Sequence, residues 1–261
     1  MSIHPTAIVH PRANLGTNVS VGAFAIIEED TTIGDNCLIE AAAQIRKGVT
    51  LGANCEIGSS SILGSDPQFK GFDKSIASEV KLGAGNVLRE NSTVHRSILE
   101  GGETTVGEDN YFMTGSHIGH DSIVGNHNTF ANGVQLGGHV VLGNNVFVGG
   151  GTMFHQFVRI GDYVMCQGLS GFSQDLPPYV IGAEINEVVG INVIGLKRAG
   201  FEPKERVAIK EAFKQVYRST ETLKDVLEKA KLLESSPAVD EFYNFLREPS
   251  KKGVCVRGSK R

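Results

Sequence analysis

The chain has 261 residues, 40% hydrophobic and 21% charged, with a formal net charge of −4, a balance that suits a globular fold and excludes a disordered or fibrous chain. No apolar run approaches the roughly 20 residues that a membrane span needs, and four cysteines are too few for a disulfide scaffold at this length. A regular pattern begins at Ile3 and leaves no room for a signal peptide, so the expected compartment is the cytoplasm.

From the N-terminus, eleven aliphatic residues recur every six positions: Ile3, Val9, Leu15, Val21, Ile27, Ile33, Ile39, Ile45, Leu51, Ile57 and Leu63. A period of six fits neither an amphipathic helix nor a single alternating strand. The unit is therefore a short strand plus a turn, and such units coil into a solenoid. Two positions before the large residues stand smaller ones, among them Ala7, Ala13, Val19, Ala25, Cys37, Ala43 and Cys55, so each repeat turns one large and one small side chain inward. Cys37 and Cys55 lie 18 residues apart and would stack on adjacent coils if three repeats close a coil. In a cytoplasmic chain they read as reduced core residues.

The beat breaks after Leu63 and resumes at Leu82, 19 positions on, so a loop leaves the coil over about 64–80. From Leu82 one phase runs through Leu88, Val94, Val106, Phe112 and Ile118 as far as Phe172, with Glu100 beside Gly101-Gly102 at the skipped position. A second loop, over about 96–105, is expected to replace that strand. Both excursions are candidate binding loops.

Beyond residue 200 the period changes. Pro203 suits a helix start, and Val207, Ile209, Ala212, Phe213, Val216 and Tyr217 follow at helical spacing. Leu223, Val226, Leu227 and Ala230 predict a second helix, and Ser236-Pro237 opens a third with Val239, Phe242, Phe245 and Leu246. The expected organisation is a solenoid over 1–200 and a helical domain over 201–261, which also covers the open edge of the last coil. Residues 1–201 carry 11 Lys plus Arg against 19 Asp plus Glu, a net of −8, and residues 202–261 carry 14 against 10, a net of +4. A basic unit ending in Lys251, Lys252, Arg257, Lys260 and Arg261 suits an acidic partner. No nucleic-acid motif or set of stacking aromatics accompanies the charge, which argues against nucleic acid.

Histidine placement points to chemistry. On an 18-residue coil, His117, His120, His139 and His155 project onto positions 117, 120, 121 and 119, one edge of three successive turns. Three imidazoles could hold a catalytic zinc, as in carbonic anhydrases of the γ class built on such solenoids. Alternatively one His is a general base and the others bind substrate. The segment from Ser116 to Asp121 holds no thiol or other evident nucleophile, so direct transfer between two bound substrates is the simpler form of base catalysis. A non-enzymatic scaffold would leave the histidine edge unexplained.

The strings His117-Ile118-Gly119-His120-Asp121, Leu136-Gly137-Gly138-His139-Val140, His155-Gln156-Phe157, Gln174-Asp175-Leu176-Pro177-Pro178-Tyr179-Val180 and Gly190-Ile191-Asn192-Val193-Ile194-Gly195-Leu196-Lys197-Arg198 resemble, in this order, the bacterial UDP-N-acetylglucosamine O-acyltransferases of lipid A synthesis. The resemblance runs from the first repeat through the C-terminal helices. It implies a left-handed parallel β-helix of hexapeptide repeats with a C-terminal helical domain, assembled as a homotrimer with sites between subunits. The implied reaction moves a 3-hydroxyacyl chain from the phosphopantetheine arm of acyl carrier protein to the 3-position of UDP-N-acetylglucosamine, with no metal or other cofactor.

Position by position, the resemblance implies His120 as general base, Asp121 as the carboxylate supporting it, and Gly138 as the residue whose N–H faces the developing oxyanion. It implies His117, His139, His155 and Gln156 around the nucleotide sugar. Asn192 and Arg198 would contact substrate or carrier, and Lys70 would match a lysine of the first loop. Gly168 matches the position where a glycine leaves the acyl groove open, so a long hydroxyacyl chain is expected, although Gln167 and Leu169 beside it are bulkier than usual. Pro67-Gln68 runs directly into Phe69-Lys70 where the family usually has an intervening Asp. Lys197-Arg198 stands for an Arg-Arg pair, and Glu184-Ile185-Asn186-Glu187 is more acidic than usual. These departures surround the substrate and leave open a 3-amino sugar acceptor, which would give an amide. A related N-acyltransferase with an added N-terminal domain is disfavoured because the repeat starts at Ile3. The helical appendage and missing motifs disfavour carbonic anhydrase.

Overall fold

Strand register sets the length of a coil. In the computed structural model, which describes residues 1–230 and 236–257, Ser2 pairs with Ser20, Ile8 with Ile26 and Asn14 with Thr32. A regular coil thus takes 18 residues, and from Ser20–Val21 to Gly171–Phe172 each strand lies parallel to the one three strands earlier. Three sheets of twelve, nine and eight strands result, each visited once per coil. The architecture is a left-handed parallel β-helix, opposite in hand to the usual crossover.

Most strands are two residues long and would not persist alone. Burial holds them: Ile27, Ile33, Ile39, Ile45, Leu51 and Ile57 are each at most 1% exposed. At about 25 cal/mol per Å² of apolar surface, each such side chain contributes roughly 1.5–3 kcal/mol. Corners are made by residues in the left-handed region, including Asn18, Asn36, Asn54 and Asn145 with φ of 56–58°. Asn tolerates this conformation better than most residues. Coils stack so closely there that a Cβ on Gly34 would lie 2.6 Å from the Ala53 nitrogen.

The smaller inward position forms its own column. Cys37 and Cys55 are buried and free, each 3.2 Å from a backbone carbonyl, of Gly52 and Gly83 respectively. Asn86, Asn110 and Asn128 continue the column at no more than 1% exposure. The Asn86 Oδ1 accepts from the Asn110 side chain at 2.9 Å, the Asn110 Oδ1 from the Asn128 N–H at 2.9 Å, and the Asn128 Oδ1 from the Val146 N–H at 2.8 Å. Each buried amide is satisfied by its neighbours, as burial requires.

Two coils are enlarged. Leu51 pairs with Leu82, 31 positions on, 13 more than in a regular coil; the first loop lies between the strands Ile62–Ser65 and Glu79–Leu82. Thr93 pairs with His117, 24 positions on, with the second loop between Thr93–His95 and Glu103–Val106. The expectation that this loop replaces a strand is corrected here. Val94 and Val106 occupy consecutive sheets, so no strand is missing. The six inserted residues equal one repeat and preserve the phase without contributing a strand.

At the C-terminal end, Val180–Ala183 pairs in parallel with Met165–Cys166 and antiparallel with Glu187–Ile191. A short helix not expected from the spacing, α1 (Val193–Arg198), follows. Then come α2 (Pro203–Tyr217), α3 (Leu223–Ala230) and α4 (Pro237–Arg247), the last capped by Ser236. Arg159 ties the coil to α4: its Nε donates to Asp175 at 2.8 Å, its Nη1 to Glu248 at 2.8 Å, and its guanidinium lies over the Phe245 ring. Val256–Arg257 adds beside Glu187–Ile191; Lys260 and Arg261 lie outside the described residues. No helix among the described residues is long and apolar enough to cross a membrane.

Candidate active site

Three successive coils place Asp121, His139 and Phe157 on one corner, each in the left-handed region at φ of 59°, 58° and 70°. The His139 N–H donates to the His120 carbonyl at 2.8 Å, and the Phe157 N–H to that of Gly138 at 3.1 Å. The corner is therefore a backbone-locked ladder. Positive φ is shared by many corners of this coil and is no sign of function in itself.

His120 is 7% exposed, and its Nδ1 lies 2.7 Å from Asp121 Oδ2. A carboxylate can only accept, so a neutral ring carries its proton on Nδ1 and keeps a lone pair on Nε2. Against that nitrogen stands Gly138, where a Cβ would lie 2.5 Å from both Nε2 and Cε1; a side chain is excluded. The Gly138 N–H has no hydrogen-bond partner among the described residues. A base with a free lone pair beside an uncommitted backbone donor is an arrangement that can deprotonate a hydroxyl and stabilise an oxyanion.

Asp121 is anchored from the second loop. Ser97 Oγ donates to Oδ1, and the Ile98 N–H reaches Oδ2 at 3.2 Å. Burial pushes its acidity down, but these hydrogen bonds, with that from His120, hold the carboxyl below its ordinary range. His139 stands edge-on to His120 at 5.1 Å and stacks on Phe157 at 4.6 Å. Its Nε2 is 3.8 Å from Asp121 Oδ2. Burial lowers its basicity despite the nearby carboxylate. His117 bonds Thr93 Oγ1 through Nδ1 at 2.8 Å; burial and the adjoining His95 and His120 bring it down to about 4.

The structure thus brings together His117, His120, Asp121, Gly138 and His139. His155 and Gln156 are exposed on the next coil, where His155 Nδ1 lies 3.1 Å from the Gln156 carbonyl. Gly168 is exposed, with the Gly150 carbonyl 3.2 Å from where a Cβ would sit. Asn192 caps α1, its Oδ1 accepting from the Gly195 N–H at 3.0 Å and its Nδ2 donating to the Tyr163 carbonyl at 2.9 Å. Lys70 and Arg198 are exposed, with no hydrogen bond or ion pair to the His120 cluster among the described residues.

Two further neighbours escape the sequence spacing. His95, 6% exposed, stands edge-on to His117 at 4.9 Å, and Lys251 Nζ lies 4.6 Å from the Phe157 ring. Counting 24 for the enlarged coil projects His95 onto position 119 and would have found it. Between the first loop and the upstream coils lies a cleft of about 720 Å³ lined by Arg46, Lys47, Asp66, Lys74, Ser78 and Arg96 among others. The ligand atoms of His120, Asp121 and His139 lie within 4.8 Å of one another. That set could hold a cation, and the same contacts serve a hydrogen-bonded base and carboxylate.

Comparisons with known proteins agree on one group. The family profile described as UDP N-acetylglucosamine O-acyltransferase, domain 2, matches residues 175–255, and the bacterial transferase hexapeptide profile matches 30–65. Among solved structures, a UDP-N-acetylglucosamine acyltransferase from Campylobacter jejuni is 33% identical with a TM-score of 0.91, over 98% of this chain and 100% of that one. One from Bacteroides fragilis is 35% identical with a TM-score of 0.92, over 97% and 99%. One from Francisella novicida is 31% identical with a TM-score of 0.94, over 98% and 94%.

Proposed function

The chain belongs to the family of UDP-N-acetylglucosamine acyltransferases, and on that footing we propose that this acyltransferase carries a 3-hydroxyacyl chain from acyl carrier protein to the 3-hydroxyl of UDP-N-acetylglucosamine, in the lipid A pathway of the cytoplasm. The observation that carries the mechanism is the His120 corner: Nδ1 engaged by Asp121 at 2.7 Å, with Gly138 pressed against Nε2. His120 Nε2 takes the proton of the sugar hydroxyl as that oxygen bonds to the thioester carbonyl carbon. The carbonyl oxygen becomes an oxyanion facing the Gly138 N–H. Collapse breaks the C–S bond, and the imidazolium returns its proton to the departing phosphopantetheine thiolate. Atoms and charge balance without a further reactant.

His117, His139, His155, Gln156, Asn192, Arg198 and Lys70 would hold the nucleotide sugar or the carrier, and Gly168 the start of the acyl groove. The exposure of His155, Gln156, Lys70 and Arg198 in one chain supports a site completed by a second copy, as in a homotrimer. Lys251, near Phe157, supports docking of an acidic carrier.

The test is an assay of transfer with UDP-N-acetylglucosamine, its 3-amino analogue and a panel of 3-hydroxyacyl carrier proteins. Replacing His120 by Ala should cost on the order of 10²- to 10⁴-fold in rate. Amide formation with the analogue alone would move the acceptor to the amino sugar, and no transfer in any combination would refute the reading. Stoichiometric zinc with activity lost on chelation would instead favour the zinc alternative.

A further inference from the structure

The second loop supplies a group that none of the family-level expectations includes. Ser97 is 0% exposed and sits between the two loops and the Asp121 corner. Its Oγ accepts from the Leu99 N–H at 2.9 Å, which directs its own hydrogen to Asp121 Oδ1. The other carboxylate oxygen, Oδ2, receives the Ile98 N–H at 3.2 Å and faces His120 Nδ1 at 2.7 Å. The two oxygens are therefore held by different donors, and rotation of the carboxylate is blocked.

The segment carrying Ser97 is itself fixed. Its carbonyl accepts from Ser78 Oγ at 2.7 Å, and Ser78 Oγ accepts from Arg96 Nη1 at 3.0 Å. Arg96, 9% exposed, donates through Nε and Nη2 to Asp66 Oδ1 at 3.0 and 2.9 Å and lies over the Phe72 ring. The first loop thereby braces the second. Gly102 makes the room, since a Cβ there would overlap Ser97 Oγ.

We propose that Ser97 is a positioning residue for the transfer reaction: by fixing Asp121 Oδ1 it keeps Oδ2 on the His120 axis and so keeps the ring aimed at the acceptor hydroxyl. The proposal rests on the acyl-transfer reading above. A hydrogen bond of this kind acts on the reacting geometry and leaves substrate contacts untouched, because Ser97 reaches substrate only through Asp121 and His120.

The experiment compares wild type, Ser97→Ala, Ser97→Cys, Gly102→Ala and His120→Ala in the full chain, by steady-state transfer with UDP-N-acetylglucosamine and a 3-hydroxyacyl carrier protein, alongside thermal melting. Cysteine nearly preserves volume but is a weak donor. Ser97→Ala and Ser97→Cys should each lose about tenfold in kcat, the fold-change of one hydrogen bond to a charged group. Both KM values should stay within about twofold of wild type, and the cysteine variant should melt with wild type. Gly102→Ala displaces the hydroxyl without deleting it and should show the same kcat loss, so the positioning role can still be tested if Ser97→Ala does not fold. Unchanged kcat in Ser97→Cys or Gly102→Ala, or a loss confined to KM, overturns the positioning role while an inactive His120→Ala leaves the reaction assignment standing. No transfer by wild type overturns both.

Discussion

Gly138→Ala isolates the corner on which the mechanism turns. The added Cβ would lie 2.5 Å from His120 Nε2 and Cε1, about 0.9 Å inside the roughly 3.4 Å at which attractive contact between heavy atoms begins. The ring cannot give freely, because it is 7% exposed and its Nδ1 is held to Asp121 at 2.7 Å. Moving it back by the overlap would carry Nδ1 off the line to the Asp121 oxygen it now faces and bend that hydrogen bond. A misplacement of about 1 Å at a reacting group costs on the order of 10²-fold in rate, while overpacking costs roughly 1–3 kcal/mol of stability. Initial rates with saturating nucleotide sugar and hydroxyacyl carrier protein should therefore fall about 100-fold, and the melting temperature by about 2–10 °C at this chain length. If kcat stays within threefold of wild type and melting is unchanged, Gly138 does not press on the base and the geometric argument fails.

Stability should fall on acidification because His117 is held to about 4, below its ordinary 6.5. The unfolded chain takes up that proton first, so stability is full above ~6.5 and drops as pH falls to ~4, by roughly 3 kcal/mol for this group. Urea unfolding at pH 7 and 4.5 should show the slope, and His117→Asn should flatten it; an equal slope in the variant would refute the assignment. Gly168→Met should shift preference toward shorter acyl carriers in competition assays, since the new side chain would start beside the Gly150 carbonyl; an unchanged chain preference removes Gly168 from the groove.

What is legible in the sequence depends on periodicity. Ile27 through Ile57 announce the coil because burial at an every-sixth position admits no exceptions there. His117, His120 and His139 follow from counting by 18, since equal coils convert sequence distance into height on one edge. His95 does not, because an insertion of one repeat length hides itself: the phase survives and the coil count does not. Ser97 carries no pattern at all; its role comes from two loops meeting, which no local spacing encodes. Motif resemblance points to Asn192, and its side chain in fact closes the first turn of a six-residue helix, a contact that a motif match cannot reveal.

The asparagine column has a consequence for assembly fidelity. Coils with nearly interchangeable aliphatic rungs could nucleate one step out of alignment at little cost, since Ile on Ile differs little from Ile on Leu. Asn86, Asn110 and Asn128 break that degeneracy. Sliding the upper coils by one rung would part the Asn110 side chain from the Asn86 oxygen it bonds at 2.9 Å, at about 0.5–1.5 kcal/mol for the lost hydrogen bond. The column thus acts as an index mark on an otherwise repetitive stack. It lies on the same coils as His120 and His139, where misalignment by one rung would separate the base from the glycine it must face.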